Sequence, residues 1–335
     1  MTGLPRGKVR GARIAALGVY VPERVLTNDE LSQFLDTSDE WISTRTGIRE
    51  RHIARIDQAT SDLAVEAAKQ ALERAAVDAG ELDLVIVTTI TPDMVFPATA
   101  SIVAHRLGAT RAGAFDLEAG CTGFVYGLAV ATGFVAAGIY RNVLVIGSEV
   151  LSRSLDWEDR TTSVLFGDGA GAVLVSPTEN GSIFSFDLGN DGSGAEYLGM
   201  PAGGSRLPAS HHTVRDRQHY MKMTGSEVYK FAIRAVADSC EKVLSDAGLT
   251  PQDVNLFVPH QANMRIIEAA AKRLGFKPEQ VFANLERYGN TSCASIPICL
   301  EEAWASGRLQ KGDLLLMTGF GAGLTWGSCL TRWDL

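Results

Sequence analysis

Cys121, His260 and Asn290 are the residues of this 335-residue chain whose types and settings point to chemistry. A thiol, a ring nitrogen within reach of it and an amide that donates hydrogen bonds are the parts with which a weak nucleophile is activated. Cys121 lies in FDLEAGCTGFVYGLAVATGF, residues 115–134. A short apolar approach turns at Gly120, after which Val125, Leu128, Ala129 and Thr132 recur at helical spacing. The pattern predicts a strand, a tight turn and a buried helix, with the thiol at or just before the first helical turn. The unpaired N–H groups and partial positive charge of a helix start favour thiolate over thiol. The plain alternative is a buried cysteine acting as a small hydrophobe. That alternative suits Cys240, on the apolar face of a long helix opened by Gly225.

The elements that must position these residues come in two copies. ALERAAVDAGELDLVIV (71–87) lies against VLSDAGLTPQDVNLFVP (243–259), each a helix end, an acidic turn and a buried strand. HRLGA (105–109) lies against KRLGF (272–276), Gly120-Cys121 against Gly289-Asn290, and NVLVIG (142–147) against DLLLMT (313–318). Uninterrupted β-rich apolar runs predict strands buried on both faces. Where the first copy has Thr88 after its strand, the second has His260, in Pro259-His260-Gln261-Ala262-Asn263. Strand ends and helix starts are where α/β sheets gather their sites. Two-fold pseudo-symmetry would bring the ends of both copies to a common centre. The expected fold is α/β in two similar halves, 1–180 carrying the nucleophile and 181–335 carrying the histidine and asparagine.

Other stretches frame the copies. Residues 14–21 predict a first strand. Thr27 or Asn28 caps a short helix, with Glu30 near the capping-box position, and 37–39 supplies a second helix start ahead of Trp41. Arg45, Arg49, Arg51 and His52 gather around Gly47, read as a loop that is either simply solvated or an anion-binding rim. Ser61-Asp62 is expected to cap a strong amphipathic helix. The glycines at 167, 169 and 171 run into a strand rather than opening a helix, which argues for close packing and against a nucleotide-binding fingerprint. Residues 177–222 read as a surface excursion around a hairpin or two, and His211, His212 and His219 receive no role.

Composition narrows the class. With 46% hydrophobic and 21% charged residues the chain is too apolar for disorder. A net charge of −8 disfavours a nucleic-acid partner. The five cysteines (121, 240, 293, 299, 329) form an odd set with no C-x-x-C pair, against a disulfide framework or structural zinc and in keeping with a reducing cytosol. Arg6, Lys8, Arg10 and Arg13 precede an apolar run that contains Gly18 and stops at Pro22, too short for a membrane span and without a cleavage site. A cytoplasmic protein, off the membrane and without a metal, is expected.

Cys121 in AGCTGF, PHQAN at 259–263, GNTSCASIP at 289–297, DEWISTRTGIRERH at 39–52 and GFGAG at 319–323 resemble β-ketoacyl-[acyl-carrier-protein] synthase III. These motifs span nearly the whole chain. The resemblance implies the thiolase fold, a five-layered α/β sandwich of two halves, and a homodimer. It implies a two-stage reaction: Cys121 takes an acyl group from a short acyl-CoA, and malonyl-acyl carrier protein then loses carbon dioxide and condenses with it. His260 and Asn290 would stabilise the enolate, and the N–H groups of Cys121 and Ala322 the tetrahedral intermediate. Thr37, Trp41, Arg45 and Arg160 would contact CoA, with Gly225 and Asn263 lining the pantetheine tunnel. Lys230, Arg265, Lys272 and Arg273 would dock the acidic carrier protein, and Phe96 would close the partner subunit's acyl pocket, implying an acetyl or short branched primer. No cofactor is implied. Ala322 stands where the family usually has glycine, and Thr122 where alanine or serine is common. A starter-unit synthase of a specialised polyketide pathway shares every catalytic residue and is the alternative. A thiolase would need a second catalytic cysteine, and Cys329 lies deep in a strand-like run. A cysteine hydrolase would leave PHQAN and GNTS unexplained, and a noncatalytic partner subunit is disfavoured because all three candidate residues are kept.

Overall fold

The computed structural model describes residues 11–179 and 181–335, so Arg6, Lys8 and Arg10 lie outside the described residues. The first half holds β1 (Gly11–Tyr20), β2 (Arg24–Thr27), β3 (Glu50–Ile53), β4 (Leu84–Thr88), β5 (Gly113–Leu117), β6 (Val143–Glu149) and β7 (Gly169–Thr178). The second holds β8 (Ile183–Asn190), β9 (Leu198–Gly199), β10 (Lys222–Met223), β11 (Leu256–Pro259), β12 (Leu314–Gly321) and β13 (Thr325–Arg332). The first large sheet runs β1-β7-β6-β4-β5 and the second β11-β12-β13-β8.

Strand directions match as well as order. β4 is parallel to β6, which is antiparallel to β7, which is antiparallel to β1. In the same senses β11 pairs with β12, β12 with β13 and β13 with β8. The counterpart of β5 is reduced to one parallel bridge, Phe257 to Val281. Leu84 faces Val143 in one sheet and Leu256 faces Leu315 in the other. In that register Thr88, Gly147 and Glu149 correspond to His260, Gly319 and Gly321.

Five layers follow from where the apolar side chains go. Between the sheets lie the helices Gly123–Ala136 and Ser295–Ala305, whose Phe124, Leu128, Cys299 and Leu300 pack with Ile86 and Val145 of one sheet and Val258 and Met317 of the other. The alternate residues Val85, Val87, Leu144 and Ile146 face outward onto the helices Thr60–Ala75 and Thr99–Leu107. Phe257, Leu316 and Leu330 face the opposite way onto Gly225–Asp246 and Met264–Leu274. Every residue of β4 and β6 is therefore buried, as unbroken apolar runs require.

The structure corrects several local expectations. The N-cap of the Thr60–Ala75 helix is Ala59, two positions before Ser61, so Ser61 and Asp62 sit inside the helix and Asp62 accepts the Ala59 N–H at 2.6 Å. Within 177–222, the segment Ile183–Asn190 is a full strand of the second sheet, paired with β13, and not surface excursion. Gly47 ends the helix Asp39–Thr46 at φ 84°, but Arg51 and His52 belong to β3. Arg51 is fully buried, so the expected basic rim does not extend to it. The glycines of β7 are packing positions, as expected: a Cβ at Gly171 would lie 2.5 Å from the Pro297 side chain.

Candidate active site

The turn Gly120–Thr122 leads directly into the helix Gly123–Ala136 and puts Cys121 at its start. Gly120 has φ 56°, and a Cβ there would lie 2.8 Å from the Ala322 nitrogen. Only glycine meets both demands. From the other side Gly321 approaches so closely that its Cβ would lie 2.5 Å from the Cys121 nitrogen. The loop after β12 thus clamps the cysteine's backbone. Burial pushes the Cys121 thiol up to about 12, opposed by the Ser292 hydroxyl beside it.

His260 follows β11, and its backbone N–H donates to Thr318 O at 2.7 Å. Its ring stands edge-on to Phe320, with centroids 5.4 Å apart. Nδ1 lies 2.6 Å from Ser295 Oγ, an oxygen that also receives the Gln261 N–H at 3.4 Å. In the tautomer whose Nδ1 accepts the Ser295 hydroxyl proton, Nε2 is the N–H donor. Burial holds the imidazole down at about 3, so it is neutral at neutral pH and not the partner of a preformed ion pair.

Asn290 is fixed from both ends. Its N–H donates to Leu165 O at 2.8 Å, and its carbonyl accepts from Gly167 N–H at 3.0 Å. Its side-chain Oδ1 accepts from Ser292 N–H at 2.8 Å, leaving the amide NH₂ as the free end. Behind this segment Arg51 donates through Nη2 to Val164 O at 2.7 Å and through Nη1 to Leu26 O and Asn28 Oδ1. Burial pulls its guanidinium down to about 10, against the opposing charge of Glu50. Arg51 is a support for the asparagine's strand pairing.

The three residues line one cavity of about 130 Å³, together with Gly225 and Asn263. At its mouth Asn263 caps the helix Met264–Leu274 and donates to Arg45 O at 3.2 Å. This joins the cavity to an aromatic–cationic cluster in which the Arg45 and Arg160 guanidinium carbons lie 4.5 and 5.1 Å from the Trp41 ring centre. Ser38 caps the helix that carries Trp41. The Thr37 hydroxyl is buried there without a hydrogen-bonded partner.

The remaining expected positions lie elsewhere. Phe96 is 82% exposed, beside the exposed Val95 and Met94, and does not line its own chain's cavity. Lys230 is paired with Glu227 at 2.8 Å, Arg273 with Asp238, and Arg265 donates to Thr44 O. Sequence reasoning missed Ser292, Cys293, Ser295 and Glu149 as parts of the centre. The first three stand inside GNTSCASIP, where the asparagine alone drew attention, and Glu149 ends the apolar run VLVIGSE. Among the described residues, no group of three or more His, Cys, Asp or Glu is arranged to hold a metal. No helix among them is long and apolar enough to cross a membrane.

A cysteine at one central helix start, sharing a cavity with a histidine from the end of a strand of the second sheet and an asparagine ahead of the other central helix, defines a condensing enzyme of the thiolase fold. Residues 115–192 match the family profile of 3-oxoacyl-[acyl-carrier-protein] synthase III, and 244–333 that of its C-terminal part. β-Ketoacyl-[acyl-carrier-protein] synthase III of Desulfitobacterium hafniense is 56% identical over 322 residues, covering 96% of this chain and 97% of the relative. The crystal structure of the Aquifex aeolicus synthase III is 47% identical, with TM-score 0.89 over 96% of this chain and 100% of the other. The priming β-ketosynthase of the R1128 polyketide pathway is 39% identical, with TM-score 0.92 over 99% of each chain. The chain belongs to the β-ketoacyl-[acyl-carrier-protein] synthase III family. It is an acyltransferase, an initiating condensing enzyme of fatty acid synthesis.

Proposed function

We propose that the enzyme moves a short acyl group, acetyl above all, from CoA to Cys121 and condenses it with malonyl-acyl carrier protein. The observation that carries this is the convergence of Cys121, His260 and Asn290 on one cavity with both polar groups presenting donors. In the first stage the Cys121 sulfur displaces CoA from the thioester, and the thiol proton leaves with CoA as its thiol. In the second, the malonyl carboxylate departs as carbon dioxide, and its electron pair moves onto the thioester oxygen as an enolate. His260 Nε2–H and the Asn290 amide stabilise that oxygen. The carbanion then attacks the acyl-enzyme, releasing 3-oxoacyl-carrier protein and a Cys121 thiolate that is reprotonated. The N–H groups of Cys121 and Ala322 hold the tetrahedral oxyanion. No step calls for a cofactor.

In this reading the Thr37, Trp41, Arg45 and Arg160 cluster holds the CoA nucleotide, and Gly225 and Asn263 line the path inward. Lys272, Arg265, Arg273 and Lys230 form a docking face for the acidic carrier protein. The chain divides near 180 into a nucleophile half and a His/Asn half. It works as a homodimer, in which Phe96 closes the partner's acyl pocket. The exposure of Phe96, Val95 and Met94 on one loop supports that placement. The 56% identity to the Desulfitobacterium hafniense synthase III, against 39% to the R1128 enzyme, favours the fatty acid pathway over a specialised one. The test is carbon dioxide release from malonyl-carrier protein across acyl-CoA lengths. Acetyl-CoA is expected to prime best, and Phe96→Thr to shift preference to longer chains. A wild-type preference for dodecanoyl-CoA would overturn the primer assignment.

A further inference from the structure

The turn Ser292–Ala294, which starts the helix Ser295–Ala305, repeats the turn Gly120–Thr122 that starts the helix Gly123–Ala136. Each opens on a residue with positive φ, 56° at Gly120 and 51° at Ser292. The expected pairing of Asn290 with Cys121 is therefore three residues out of step, and the residue that answers Cys121 is Cys293. At the first position one turn uses glycine, which adopts this backbone freely, whereas the other keeps a side chain that the backbone disfavours. Strain retained next to a reactive group is a reason to ask what the side chain does.

Ser292 is fully buried, and its hydroxyl has no hydrogen-bonded partner of good geometry within the protein. The two turns pack against each other. The hydroxyl stands beside the Cys121 thiol, toward whose ionised form it is the leading favourable contact. An orphaned buried hydroxyl costs stability unless something compensates. A thiolate accepting its proton is such a compensation.

We propose that Ser292 is a positioning residue for the nucleophile: its side chain, kept in a strained turn at the cysteine's edge, donates to the Cys121 sulfur as that sulfur becomes an anion. The proposal rests on Cys121 being the nucleophile and adds a group that tunes it. No other side chain around the sulfur supplies this, and the one further favourable contact, Cys121's own backbone N–H, is weaker than that of Ser292. His260 is neutral, and its Nε2–H is assigned to the enolate, as is the Asn290 amide. Glu149, at the end of β6, opposes a negative sulfur, and the buried Cys293 thiol donates to Thr88 O at 2.9 Å.

The experiment titrates the thiolate of the full-length protein by its ultraviolet absorbance, taken as the difference from Cys121→Ala. Iodoacetamide labelling of Cys121 is measured over the same pH range. Ser292→Gly accommodates the turn's φ, so it folds even where Ser292→Ala does not. Loss of a hydrogen bond to charged sulfur is expected to slow labelling about tenfold at a given pH and to move the titration upward in step. Superimposable titrations of wild type and Ser292→Gly would overturn the proposal. Neither measurement uses acyl-CoA, so this outcome is separable from failure of Cys121 to accept an acyl group.

Discussion

Two cysteines occupy matched turns in this enzyme, and one is read as the nucleophile. The turn carrying Cys121 packs against β12, and the turn carrying Cys293 packs against β6 and the end of β4. The contacts are the same in kind: a Cβ at Gly319 would touch the Cys121 carbonyl at 3.4 Å, and one at Gly147 the Cys293 carbonyl at 2.5 Å. What differs is the furniture. Beside Cys121 stand His260 with its Ser295, and Gly321 leaves the thiol open to a cavity. In the corresponding places beside Cys293 stand Thr88, Gly123 and the carboxyl of Glu149, 3.3 Å from the sulfur. Both thiols are buried, but Cys293 is sealed and held further from ionisation by its acidic neighbour. Duplication supplies the turn and the helix start; chemistry needs the donors and the opening that one copy alone has.

The largest expected effect breaks the comparison directly. Cys121→Ala should trap no label from radioactive acetyl-CoA. Cys293→Ala should still be labelled, losing only about 1–2 kcal/mol of stability as a buried truncation. Label retained by Cys121→Ala and lost by Cys293→Ala would reverse the assignment. Next in size, Asn290→Ala should acylate normally, while decarboxylation of malonyl-carrier protein falls about 10²–10³-fold, the effect of deleting one oxyanion donor. Failure to acylate at all would place Asn290 in the first stage instead.

The sheets, the central helices and the three principal residues were legible because each left a periodic or compositional signal. The apolar runs of β4, β6 and β12 are unbroken where both faces are buried, and Gly120 marks a backbone only glycine fills. The rest was hidden for physical reasons. β8 reads IFSFDLGN, with a polar half and a glycine, and becomes a strand because β13 pairs with it. The match of Cys121 to Cys293 depends on φ angles rather than residue types, since GCT and SCA share only the cysteine. Arg51 looks like surface charge in sequence and is buried because three acceptors from distant segments meet there.

The smallest expected effect sharpens the comparison at Glu149, which stands where the Cys121 copy has Gly321. Two of its donors are backbone N–H groups, from Ile90 and Thr91. The Thr89 and Thr91 hydroxyls also donate to it, since each accepts a backbone N–H of its own, from Thr91 and from Val150. Despite these donors, burial raises the acid above its ordinary range. An acid raised on folding stabilises fully below its unfolded pKa, about 4.3. That contribution is lost as pH climbs through the raised folded value. Glu149→Gln keeps an oxygen for Thr89, Ile90 and Thr91 and turns its amide toward Cys293, without a titrating group. The stability of wild type relative to Glu149→Gln should therefore decline as pH rises above about 4.3 and level off only beyond the raised folded value, each tenfold weakening of the acid amounting to about 1.4 kcal/mol. Paired urea melts at several pH values measure the gap. A gap constant across that range would mean that Glu149 is ionised at no cost in the fold, and that Cys293 is kept unreactive by its sealing alone.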